Sequence, residues 1–204
     1  MELDFWVDPI CPWCWVTARW MVDEVVPERD LDITWQPISL FKKNQPDPDS
    51  QYYEASWFTH RLLRVMESVR QAEGDGAVQP LYWELGRRIH HDQDRDFGPV
   101  AALEAVGLPT SHGEAFDDES WDAEIEKRME VGIELAGNDI GTPIIGFDND
   151  DGQTVALFGP VITRVPTREQ SLRLWDSYVA IATVPGFWEL KRTRTERPDP
   201  GPRP

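Results

Sequence analysis

The chain has 204 residues, 40% of them hydrophobic and 28% charged, with 10 Trp and 8 Phe. That composition suits one compact unit, or one core carrying an inserted subdomain, and excludes collagen-like, disordered and disulfide-scaffold classes. The 20 Lys and Arg against 37 Asp and Glu leave a net charge of −17, which repels phosphate backbones and anionic lipid, so neither nucleic acid nor membrane is an expected partner. Met1 leads straight into Glu2-Leu3-Asp4 with no basic stretch before an apolar run, and a cytoplasmic location is the expectation.

Leu3, Phe5 and Val7 alternate with Asp4 and Trp6 before Asp8-Pro9 stops the run, which predicts a first strand. From Pro12 onward, Trp15, Ala18, Val22 and Val25 recur at helical spacing, with Pro12 suited to the first turn. Leu31, Ile33 and Trp35 alternate up to Pro37 and predict a second strand, so the chain opens β-α-β. A loop at 44–50 leads into helical periodicity that lasts to Gly137-Asn138, with pieces expected at Tyr52 to Glu73, Leu81 to His91, Val100 to Val106 and Glu119 to Ala136. The apolar runs 144–147 and 154–158 flank the turn-forming 148–152 and predict a hairpin. A last helix is announced by the capping box Thr167-Arg168-Glu169-Gln170, with Leu172, Trp175, Val179 and Ala182 on one face. The fold class expected is α/β, with a core of 1–43 and 139–190, a helical insertion at 44–138 and a basic, Pro-rich tail at 191–204.

Only two cysteines exist, in Cys11-Pro12-Trp13-Cys14. A disulfide-stabilised secreted fold rarely closes so small a loop and nothing else, which points to chemistry instead. At a helix start the first thiol meets unpaired amides and the positive end of the helix dipole, so Cys11 is expected to be an accessible thiolate and the nucleophile. Cys14, one turn further in, is expected to hold a higher pKa, resolve the mixed disulfide at Cys11 and close the ring. Trp13 offers an aromatic face without charge and favours a reducing couple. A zinc site needs more ligands than the scattered His60, His90, His91 and His112 supply, so no metal is expected. Gly141-Thr142-Pro143 directly precedes an apolar strand, where a cis Pro143 would turn the Thr142 backbone toward the cysteines and a thiol substrate. Trp6, Trp57, Phe58 and Trp83 are candidates for either an aromatic pocket or the core. The tail is either a solvated end or a segment that folds back on the acidic body or meets an anionic cosubstrate.

This order of elements resembles the DsbA-like branch of the thioredoxin superfamily, a thioredoxin fold with an inserted all-helical subdomain. More narrowly, the segments at 5–15, Arg88-Ile89-His90, Gly141-Thr142-Pro143, Phe158-Gly159-Pro160 and 189–195 resemble the actinobacterial mycothiol-dependent reductases, also called mycothiol-dependent nitroreductases. The resemblance implies a cytoplasmic thiol-disulfide oxidoreductase with no tightly bound cofactor, in which mycothiol or another low-molecular-weight thiol is the cosubstrate and a small electrophile or disulfide the substrate. It also implies Cys11 as the attacking and Cys14 as the resolving residue, with Pro12, Trp13, Asn44, Tyr52, His90, Thr142 and Pro143 at the substrate surface, and it leaves a homodimer open. Two other functions remain: a protein dithiol oxidase or disulfide isomerase, which needs a more oxidising couple, and a non-catalytic redox sensor.

Overall fold

The computed structural model describes residues 1–204. In chain order the regular elements are β1 (Glu2–Val7), α1 (Pro12–Trp20), β2 (Asp32–Pro37), α2 (Leu40–Asn44), α3 (Tyr53–Glu73), α4 (Val78–His90), α5 (Pro99–Ala105), α6 (Asp122–Ala136), β3 (Ile144–Asp148), β4 (Thr154–Phe158) and α7 (Arg168–Ala182). No helix is long and apolar enough to cross a membrane.

The sheet order is β2-β1-β3-β4, with β1 parallel to β2 and antiparallel to β3, and β3 antiparallel to β4. This is the mixed α/β sheet that the β-α-β opening and the later hairpin require, because parallel β1 and β2 need a crossover between them. Alternation along β1 sends its two sets of side chains to opposite faces. Leu3, Phe5 and Val7 join the main core with α1, α4 and α7, whereas Trp6 joins a smaller cluster of Ile38, Met129, Ile144 and Ala156 on the other face.

Each face is closed by a helix with a shape-specific contact. On the main face Trp175 of α7 packs 6.3 Å from Trp20 and 6.4 Å from Phe147, and Tyr178 donates to the Ile145 carbonyl at 2.9 Å. On the other face α6, which periodicity groups with the helical segment 44–138, lies on the sheet itself. Its Gly132 leaves room for the Trp6 ring, whose Nε1 donates to the Arg128 carbonyl at 2.9 Å. A helical pattern reports that a helix buries one face but not which surface receives it.

Other local features follow from single residues. α1 runs into a π-helical turn at Met21–Val25 and a 3₁₀ turn at Val26–Glu28, where Pro27 has no amide to continue the ladder. Ser39 caps the short α2, accepting from the Lys42 amide at 3.1 Å, in a stretch too brief for periodicity to announce. α3 is tied to the sheet by Arg70, which donates to the Trp35 carbonyl and pairs with buried Glu67. Glu67 also takes Arg128 of α6 at 3.0 Å, so a buried carboxylate links the helical segment to the second face.

α1 and α4 touch where Gly86 faces Trp15, and a methyl group at Gly86 would run into the indole ring. Gly86→Ala is expected to lower the free energy of urea unfolding by about 1–3 kcal/mol through overpacking. Gly76→Ala, at a position with open space around it, should change it by about 0.5 kcal/mol or less. Equal effects of the two substitutions would refute close α1–α4 packing.

Candidate active site

Cys11 is the N-cap residue of α1, with extended backbone at φ −77° and ψ 109°, and Pro12 occupies the first turn. The cap geometry turns the Cys14 amide toward Cys11 Sγ at 3.5 Å, so the sulfur receives one of the donors a helix start leaves unpaired. Both cysteines are free thiols. Cys11 Sγ donates to the Thr142 carbonyl at 3.6 Å, which brings the loop before β3 against the first sulfur.

Cys14 lies beneath, fully buried. Its Sγ is 3.8 Å from the Trp6 carbonyl, and the Tyr82 hydroxyl of α4 donates to it at 3.8 Å. Thr142 Oγ1 sits 3.4 Å from the same sulfur and gives its one proton to the Trp6 carbonyl at 2.7 Å. The Thr142–Pro143 peptide is cis, and the Pro143 carbonyl accepts from the Gly159 amide at 2.8 Å. The Gly159–Pro160 peptide is also cis, and the Pro160 carbonyl accepts from Thr17 of α1 at 2.8 Å.

The ionisation expected of Cys11 is corrected by its surroundings. Only 7% of its surface is exposed. Burial pushes the Cys11 thiol up to about 12 and the nearby Asp8 carboxylate adds to the rise, while the Cys14 and Trp13 amides and the Arg194 charge pull the other way. The sulfur therefore rests as a neutral thiol in this reduced arrangement, not as an open thiolate. Burial raises Cys14 further still, in the order expected of an inner sulfur.

Asp8 directly precedes the Pro9-Ile10-Cys11 turn and is fully buried. Its Oδ1 accepts from the Ile10 amide at 3.0 Å and its Oδ2 from the Leu40 amide at 2.7 Å, joining the cysteine turn to the start of α2. Burial raises its carboxyl to about 6 against these hydrogen bonds and one from Thr59. From the sequence Asp8 reads only as a strand terminator. The signal that marks it is an acidic residue placed between an apolar strand and a Cys-x-x-Cys pair. Tyr82 carries no such signal, because it lies within an ordinary helical pattern.

His90, at the end of α4, bonds the Pro9 carbonyl through Nε2 at 2.8 Å and stacks on Trp15 at 5.8 Å. A carbonyl only accepts, so Nε2 carries the proton. Burial lowers the imidazole to about 4, which keeps it neutral near pH 7. Pro12 is exposed and Trp13 half-buried. Asn44 ends α2 and Tyr52 precedes α3; both side chains are exposed and neither hydrogen-bonds to the cysteines or Thr142. Trp6, Trp57, Phe58 and Trp83 do not form a common wall. Trp6 is core, Trp57 stacks on His60, Phe58 meets Phe97 and Trp83 meets Trp15.

The folded-back reading of the tail matches what the tail does. The Asp199 amide donates to the Thr163 carbonyl at 2.7 Å, Arg19 of α1 donates to the carbonyls of Pro200 and Pro202, and Arg203 grips Asp92 at 2.7 and 2.9 Å. The Arg194 guanidinium lies over the Trp13 ring, 5.1 Å from its centroid.

Residues 10–192 match the model of the family described as Rv2466c-like, mycothiol-dependent nitroreductase Rv2466c. The uncharacterized protein Rv2286c of Mycobacterium tuberculosis is 26% identical over 198 residues, covering 95% of this chain and 82% of its own. Among solved structures, the cytosolic disulfide reductase DsbM of Pseudomonas aeruginosa superposes with a TM-score of 0.58 at 14% identity, covering 89% of this chain and 100% of that one. The probable DsbA oxidoreductase SCO1869 of Streptomyces coelicolor gives 0.57 at 14% identity, covering 96% and 94%. The chain therefore belongs to the Rv2466c-like family of mycothiol-dependent nitroreductases and is a thiol-disulfide oxidoreductase on a DsbA-like thioredoxin fold.

Proposed function

We propose that Cys11 and Cys14 form the redox couple of a cytoplasmic reductase that takes small electrophilic or disulfide substrates and is regenerated by a low-molecular-weight thiol such as mycothiol. The observation that carries this reading is the seating of Cys11 at the start of α1, with the Cys14 amide on its sulfur and the Cys14 thiol directly below. The family's description, which names mycothiol, supports the choice of thiol.

With a disulfide substrate, Cys11 loses its proton and its thiolate attacks one substrate sulfur. The substrate S–S bond breaks, one thiolate leaves with the electron pair, and the other half stays bonded to Cys11. Cys14, deprotonated in turn, attacks Cys11 Sγ, expels the second thiolate and closes the ring, so two electrons pass to the substrate. Two molecules of the small thiol then reopen the ring and leave as their own disulfide. The covered Cys11 needs its proton and its covering atoms displaced together, after which the Trp13 and Cys14 amides hold the thiolate. The Tyr82 hydroxyl serves Cys14 in the same way when the ring is open.

Thr142 and Pro143 form the wall opposite the dithiol, and Trp13 the half-buried aromatic ring beside it. His90 positions the turn through the Pro9 carbonyl and is not a proton carrier near neutrality. Asn44 and Tyr52, both in solvent, are assigned to the outer part of the substrate surface on the family resemblance.

A coupled turnover assay with mycothiol and with other small thiols tests the cycle. Cys11→Ser is expected to lower turnover by about three orders of magnitude or more, and Cys14→Ser to accumulate a mixed disulfide at Cys11 visible as an added thiol mass. Equal turnover by both variants and the parent would refute it. A reduction potential near roughly −200 mV or below is expected, whereas one near roughly −120 mV would favour the oxidase.

Asp8 gives a separate pH signature. Its folded carboxyl, at about 6, lies above the ordinary 3.8, so its stabilising contribution is complete below about pH 4 and disappears as pH rises through about 6. From about pH 3.5 to about pH 7, the urea-unfolding stability of Asp8→Asn should gain about 2–3 kcal/mol on the parent. A pH-independent difference between the two proteins would contradict a carboxyl held at that value.

A further inference from the structure

The tail is basic beside an acidic body, and one of its cations lies at the cysteine pair. Arg203 pairs with Asp92, Lys191 with Glu189, and Glu196 of the tail with Arg164 of the body. Arg194, like Arg192 and Arg197, has no ion pair and no side-chain hydrogen bond to protein, and it alone of the three stacks on an aromatic ring. Its guanidinium carbon lies over Trp13, inside the Cys11–Cys14 ring sequence, and its charge acts on Cys11. The contacts at 199–203 hold the segment that carries it against α1 and the end of α4.

The other ionisable groups facing Cys11 do not offer a free cation. Asp8 is buried and negative when ionised, Tyr82 is a buried phenol raised far above its ordinary value, His90 is neutral, and Cys14 is a buried thiol. An incoming group therefore meets one positive charge near the attacking sulfur, with the fork of donors that suits a carboxylate.

We propose that Arg194 is a specificity-determining residue of the dithiol site, which favours substrates carrying a carboxylate or similar anionic group next to the atom that Cys11 attacks. This rests on the dithiol reading above and adds a substrate class to it. The guanidinium stays on Trp13 while its outward N–H groups hold the anion, so the electrophilic sulfur is brought over Cys11.

Reduced protein is mixed with two aromatic disulfides that differ in charge, the dianionic dithiobis(nitrobenzoate) and the neutral dithiodipyridine, and the released thiolate is followed. In each case the dithiol is oxidised to its ring and one disulfide becomes two thiolates. In Arg194→Gln the ratio of the two rate constants, dianionic over neutral, is expected to fall about three- to five-fold, as for loss of one partly exposed charge contact. Arg194→Lys should keep the ratio within about two-fold of the parent, since the charge remains. Arg197→Gln removes an equal charge from the same segment and should leave the ratio unchanged. A loosened tail alone would move both rates together and leave the ratio where it was. An unmoved ratio in Arg194→Gln, or an equal fall in Arg197→Gln, overturns the assignment to Arg194 while leaving the redox couple intact. If the parent protein reduces neither disulfide, the oxidoreductase reading fails and this inference falls with it.

Discussion

A carboxylate shut away from water must find donors inside the protein, and Asp8 finds them in two backbone amides that nothing else would hold together. Ile10 belongs to the turn that delivers Cys11, and Leu40 opens α2 at the end of the second strand's connection. Through one side chain the ends of two parallel strands are locked side by side, and the reactive turn is fixed before α1 begins. The Leu40 amide lies in α2's first turn and would otherwise be one of the orphan donors of a helix start. Leaving such a donor without a partner costs about 1–3 kcal/mol, so the same bond stabilises the fold and aims the sulfur.

Around that joint the cysteine turn is held by carbonyls rather than by charges. His90 takes the Pro9 carbonyl, Cys11 gives its proton to the Thr142 carbonyl, and Cys14 lies against the Trp6 carbonyl. Neutral acceptors around two thiols favour the protonated sulfurs, which agrees with the direction in which burial moves both cysteines. Both sulfurs are thereby held as thiols in the reduced form.

Much of this is written locally in the chain. The alternation of Leu3, Phe5 and Val7 with Trp6 gives β1 and its two unlike faces, Pro12 marks the first turn of α1, and Thr142-Pro143 stands where the second wall of the site lies. What the chain conceals are the contacts made across long separations. The partnership of Tyr82 with Cys14, of Asp8 with Leu40 and of Arg194 with Trp13 joins residues that no periodicity relates. The ionisation of Cys11 departs from the sequence expectation for the same cause: a helix start is visible in sequence, whereas the depth at which the fold buries it is not. The assignment of α6 to the sheet's second face likewise depends on Gly132 meeting Trp6 across 126 positions of chain, a relation of shape and not of pattern.

The meeting of Gly86 with Trp15 has a mechanical meaning. A ring seated against bare backbone leaves no slack between α1 and α4, and the same indole is also gripped by His91 at 3.0 Å. Cys14 and Tyr82, which lie on these two helices, thus ride on a single stiff block. A shift of Cys14 along α1 would therefore drive the Trp15 ring into the backbone of α4.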